Sequence, residues 1–231
     1  MRAIPILACL TLAACAPAQM RLPTTLAEAP ERTEFAGIGG RPSGEFVAGP
    51  YRGKFKRSLD QFTFFETDVD RVGRASFTVA GPAIGSTIEG RCGMIESAVD
   101  LGVVEVTSRP MAYGCHLTAE GRPVAAGFEL REVVGGGSAI TRYERRGEIS
   151  IGGTSLQIRS VHNLAGTAMP SLTPVGYLFE QDGRQIAALE LTGRPALIGL
   201  SGLDGATART VVVGAVALAI FWDPAVVHAG I

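Results

Sequence analysis

The sequence predicts a mainly β protein: an antiparallel barrel or sandwich of about ten or more short strands, with one apolar C-terminal helix packed inside or against it. Three observations carry this expectation. Short runs alternate apolar and polar residues with a period of two, and tight-turn dipeptides such as Glu120-Gly121, Gly152-Gly153 and Asp182-Gly183 stand between them. One segment near the end is apolar on every side.

Taken in order, the chain opens with one cation, Arg2, and an uncharged stretch over 3–14. That is the charge pattern and length of an export signal, and it falls short of the roughly 20 apolar residues needed to span a bilayer. Leu12, Ala13, Ala14 and Cys15 resemble the lipobox of bacterial lipoproteins, in which a branched residue and two small ones precede a cysteine. The resemblance implies that 1–14 are removed and that Cys15, alkylated by a diacylglycerol, becomes the first residue. It implies a membrane partner through N-terminal acyl chains and a cell-envelope location. Ala16, in place of an aspartate, points to the outer membrane, facing the periplasm. The alternative is an ordinary signal cut after Ala16 or Ala18, giving a secreted periplasmic protein. Two or three acyl chains hold far more firmly than one, since each buried methylene contributes about 0.8 kcal/mol.

Residues 15–44 read as the lipidated N-terminus and a flexible tether, with Pro17, Pro23, Pro30 and Pro42 and no sustained period. Residues 45–231 read as one β-rich domain. Strand-like runs fall at 61–65, 74–80, 87–95, 102–107, 111–118, 123–133, 140–151, 155–161, 175–180, 185–192 and 196–200. In 74–80, Ala75, Phe77 and Val79 alternate with Arg74, Ser76 and Thr78, so one face is buried and the other wet. The glycines at 135–137 read as a turn and not a phosphate cradle, because Ile140, Thr141 and Tyr143 beyond them favour a strand over a helix.

The segment 206–222 breaks the pattern. Asp204 suits an N-cap and Asp223-Pro224 a stop, and from Val211 to Trp222 the run is wholly apolar. As a helix that run covers about 18 Å, too little for a bilayer, so the expectation is enclosure by protein; a buried valine strand is the rival. The hairpin 176–191, followed by this apolar helix entered through Arg209, resembles the tubby C-terminal barrel and its scramblase-like relatives over roughly 51–225. That resemblance implies a closed antiparallel barrel around a hydrophobic C-terminal helix. The family's phosphoinositide-binding residues do not carry over to positions here, and a lipobox and a disulfide depart from its intracellular pattern.

Cys9 leaves with the signal and Cys15 is acylated, so Cys92 and Cys115 remain as a pair in an oxidising compartment and are expected to form a disulfide. His116 beside Cys115 adds an imidazole, but no fourth ligand makes a zinc site, and no metal or cofactor is expected. With 21 Lys plus Arg against 22 Asp plus Glu, the balance excludes a general nucleic-acid binder.

Catalytic motifs fail in detail. In the string Gly199-Leu200-Ser201-Gly202-Leu203 the second glycine comes one place too early for a serine nucleophile elbow. The string from Gly49 to Phe55 is one residue short of a P-loop and has Phe55 where a hydroxyl must reach Mg²⁺. Glu66, Asp68 and Asp70 alternate as calcium ligands might, yet Arg71 replaces the glycine an EF-hand needs. His116, His162 and His228 are scattered. One constellation suggests contact with an anionic envelope lipid or polymer: Arg52, Lys54 and Lys56 share one face of a strand, and Arg57 follows. The alternative is an edge strand guarded by its charges. The sum is a non-catalytic envelope domain that binds or scaffolds at the membrane, with two rivals: an envelope hydrolase with dispersed residues, and an apolar-ligand carrier.

Overall fold

The described residues form thirteen strands: β1 (Arg32–Glu34), β2 (Ser43–Ala48), β3 (Tyr51–Phe64), β4 (Asp68–Ala80), β5 (Ile88–Asp100), β6 (Glu105–Ala119), β7 (Arg122–Pro123), β8 (Ala126–Glu132), β9 (Arg145–Ile151), β10 (Thr154–Val161), β11 (Gly176–Gln181), β12 (Arg184–Glu190) and β13 (Ala196–Ile198). Three helices lie among the same residues: α1 (Thr24–Ala27), α2 (Gly205–Ala219) and α3 (Pro224–His228). The computed structural model describes residues 18–28, 31–64, 67–100, 102, 105–133 and 142–228. The signal over 1–14, Cys15, the glycines at 135–137 and positions 140–141 lie outside them.

The strands form one antiparallel sheet in the order β1-β13-β12-β11-β10-β9-β8-β6-β5-β4-β3-β2, with β7 paired to β6 off this path. The sheet curls until its two edges nearly close. Just past β1, Ala36 exchanges two backbone hydrogen bonds with Val47 of β2, 2.8 and 2.9 Å long. Curling removes most of the open edge that a flat sheet would expose. Because the strands run up and down, the connections β3–β4, β5–β6, β8–β9, β10–β11 and β12–β13 share one end of the barrel; β2–β3, β4–β5, β9–β10 and β11–β12 share the other.

Helix α2 fills the interior. It starts at Asp204, whose carboxylate accepts from the Ala206 and Thr207 amides at 2.9 and 3.0 Å, the N-cap expected from the sequence. From Thr210 to Ile220 every residue is buried, and the helix touches β4 and β5 on one wall and β9, β10 and β12 on the other. Gly214 is required by that fit, since a Cβ there would stand 2.9 Å from Phe179 Cε1. Taken together, 205–226 have the length and mean hydropathy, 1.6, of a membrane span, yet 72% of its apolar 18-residue window is buried inside the protein. The helix is therefore core, and the valine-strand alternative is excluded.

Several boundaries differ from expectation, two of them instructively. The helix ends at Ala219 and not Trp222, because the Arg57 guanidinium reaches inward to the Ala219 and Ile220 carbonyls at 3.4 and 3.3 Å and takes up its last acceptors. From Glu105 onward the run 102–107 is continuous with the run 111–118 in one strand, β6, whose register against β5 shifts between Ile95 and Ala98.

The tether expected over 15–44 is folded onto the domain from Met20 onward. Met20 and Leu26 pack against Val161, Leu178 and Ile198, while Phe35 and Ile38 join the main core. The four anchors are single apolar residues between prolines and glycines, a pattern with no period to reveal it.

Candidate functional site

The N-terminal segment fixes where any anchor attaches. Met20 bridges Leu164, and the Arg21 amide donates to Asn163 O and the Ala165 amide to Gln19 O, both at 2.8 Å. The Met20 amide also donates to the buried Glu190 carboxylate at 2.7 Å, which Arg32 and Thr192 engage as well. Burial alone would raise the Glu190 pKa; the bonds from Thr192, Arg32 and Met20 outweigh it and hold the carboxyl below its ordinary value. Ala18, where the described chain begins, thus sits by the β10–β11 connection.

Cys92 and Cys115 face each other across β5 and β6 and are disulfide bonded, with Cα atoms 4.0 Å apart. Both point into the core, so the bond staples adjacent wall strands.

The cationic strand divides in two. Arg52, Lys54 and Lys56 lie on the exposed outer face of β3, whereas Arg57 takes the inward parity of Tyr51 and Phe55 and is buried, stacked 4.6 Å from the Trp222 ring. Arg57 is a cap for α2 and not a surface contact, which corrects the sequence expectation. Burial pulls its pKa down from the ordinary arginine value. Nor is β3 an edge strand, since β2 and β4 flank it. One of its outer cations, Lys56, continues across the wall in a register row with Ser76, Arg91 and His116. Lys54 pairs with Glu45 at 3.0 Å, while no ion pair to a described residue involves Lys56 or Arg91.

A second cationic region borders the N-terminus. A cleft of about 380 Å³ is lined by Arg21, Arg142, Arg146 and Arg159 together with Ser160 and His162. Ser160 and His162 are two apart along β10 and its continuation, so they share a side, and Ser160 Oγ lies 3.0 Å from His162 Nε2. His162 Nδ1 is 3.0 Å from Ser171 O, which only accepts; Nδ1 therefore carries the proton and Nε2 accepts from the serine. Burial lowers the His162 pKa, keeping the ring neutral. The result is a hydrogen-bonded serine beside a neutral imidazole whose orienting partner is a backbone carbonyl and not a carboxylate. Ser160 Oγ also accepts from the Arg145 amide at 2.9 Å, which ties it to the wall.

Beneath this cleft lies a buried ion cluster that the sequence did not disclose. Arg145, fully buried, donates from Nε and Nη2 to the two Asp223 oxygens at 3.1 and 2.8 Å. Its Nη1 stands 3.2 Å from Glu132 Oε2, at ion-pair distance but outside hydrogen-bond geometry. Asp223, expected as a helix stop, also accepts from the Ala225 amide and so starts α3. An apolar cleft of about 380 Å³ opens beside it, lined by Leu59, Pro174, Tyr177, Leu191, Phe221 and Trp222.

Other sequence candidates stay apart. Ser201 lies in the turn before α2, Asp68 and Asp70 stand on the outer face of β4, and His116 is exposed on β6. His228 ends α3. Among the described residues, no group of three or more His, Cys, Asp or Glu is arranged to hold a metal ion. Comparison with family models, with curated proteins and with solved structures finds no match to this chain.

Proposed function

We propose that this chain is a lipid-anchored cell-envelope protein whose β domain acts as a non-catalytic binding or scaffolding body, carried on the outer membrane and facing the periplasm. The observation that carries this reading is a filled barrel. Helix α2 occupies the space that a carrier would leave for its ligand, and two charged groups beside it serve the structure: Arg57 caps α2, and Arg145 holds Asp223 and Glu132. The anchor itself rests on the match of Leu12 to Cys15 with the lipobox. The row of Lys56, Arg91 and His116 supports an anionic envelope lipid or polymer as a contact. In cells carrying Cys15→Ser, the protein should leave the membrane fraction or accumulate at precursor size; membrane retention at the wild-type processed size would refute the anchor.

A second reading, an envelope hydrolase, is favoured by the Ser160–His162 hydrogen bond. A serine activated by a neutral imidazole reacts with a fluorophosphonate. Labelling of the wild-type protein that Ser160→Ala abolishes would establish this reading, and absence of labelling would remove it.

A further inference from the structure

Among the described residues, the exposed large apolar side chains are unevenly distributed between the two barrel ends. On the β3–β4 and β5–β6 hairpins these are Phe62, Phe64, Ile95 and Val106. Met169, 81% exposed, and Leu172 stand on the β10–β11 connection, and Val226 on α3. All seven belong to the end where α2 finishes and where the chain leaves through Met20. The eighth, Val47, lies beside the β2–β3 turn at the opposite end.

The hairpins reach past their neighbours. β2 pairs with β3 only as far as Lys56, and β8 pairs with β6 only from Ala112, so the four strands β3 to β6 continue beyond the wall as a flap. On its outer face one register row reads Phe64, Asp68, Val99 and Val106. An apolar set of this size at one end of a water-soluble domain marks an interaction surface.

We infer that this end of the barrel is seated on a lipid bilayer, with the flap and the β10–β11 connection entering the interfacial region. The inference rests on the reading of Cys15 as the acylated residue. Only three peptide steps separate Cys15 from Ala18, and a fully extended chain spans at most about 3.6 Å per residue, so the anchor holds this end within about 11 Å of its acyl chains. No tether lifts the domain away. The charges fit an anionic surface, because Arg21, Arg142 and Arg146 are exposed beside the Met169 loop. Asp68 in the apolar row sets the depth: a carboxylate driven into hydrocarbon is costly, so contact stops at the headgroup level. Trp and Tyr favour that same zone, which makes a tryptophan a mild reporter there.

The test uses the mature full chain in vesicles of phosphatidylethanolamine and phosphatidylglycerol brominated near the headgroup. Three variants each add one tryptophan to the constant signal of Trp222: Phe64→Trp, Met169→Trp and Val47→Trp. All three positions are exposed, and unchanged melting of each variant establishes that it folds. The expected result is severalfold stronger quenching at Phe64→Trp and Met169→Trp than at Val47→Trp. Equal quenching at all three overturns the inference, as does shielding of the first two from aqueous quenchers without lipid quenching, the sign of a protein partner or second copy. Mass spectrometry of the N-terminal peptide reports separately on acylation of Cys15. If that residue is bare, the same contrast measured on protein added to vesicles still decides the docking.

Discussion

Replacing Arg145 by Met removes the fully buried cation that pairs with Asp223 and Glu132 and leaves both carboxylates without it. Methionine is close in volume, so the cost is electrostatic. Removing one partner of a buried ion pair typically costs about 3–5 kcal/mol, and two carboxylates deserted together belong at the upper part of that range. Against a total stability of about 5–15 kcal/mol this is a large fraction. With a urea slope of about 2 kcal/mol/M, the unfolding midpoint should fall by roughly 2 M. The triple variant Arg145→Met, Asp223→Asn, Glu132→Gln removes all three charges and should recover a substantial part of the loss, a coupling that a double-mutant comparison reads directly. The assay is urea denaturation at neutral pH followed by far-UV circular dichroism. A midpoint within about 0.3 M of wild type for Arg145→Met would refute the reasoning and make the cluster energetically idle.

Two further changes probe the wall and the N-terminal segment. Cys92→Ala with Cys115→Ala should lower stability by about 3 kcal/mol through the lost loop constraint, read as a lower urea midpoint that added reductant no longer shifts. Glu190 has a folded pKa below its unfolded value near 4.5, so its contribution is complete above that value and is lost as pH falls through the lower folded one. Protease cleavage in 18–28 should therefore rise in acid for the wild type and be elevated at all pH values in Glu190→Gln; identical pH profiles would contradict the role given to this carboxylate.

Strands such as β4, β8, β9 and β10 were legible because each buries one face and leaves a period of two, whereas β11 and β13 bury successive residues and show instead as short apolar runs beside turn residues. The N-terminal part was not, because Met20, Leu26, Phe35 and Ile38 enter the core one at a time between prolines and glycines. The disulfide followed from cysteine parity and compartment. The Arg145 cluster joins side chains 78 positions apart and leaves no local trace. Arg57 could have been read correctly: it shares the parity of Tyr51 and Phe55, which a strand must turn inward. The same parity puts Phe62 and Phe64 outward with Lys54 and Lys56. Ser160 and His162 likewise share a face, but residues two apart on a strand are too common for that to single them out.

The helix at the centre decides between a filled barrel and a chain that uses its apolar C-terminus elsewhere. Val216 lies in the last turn of α2 and is fully buried. Val216→Asp places an unpaired carboxylate inside the barrel, costing several kcal/mol. The decisive measurement is near-UV circular dichroism and thermal melting of this variant. Enclosure predicts loss of the near-UV signal and of the cooperative transition, because the strand walls share their core with α2. A natively folded, soluble Val216→Asp protein that melts like the wild type and has lost only membrane or partner binding would contradict the account.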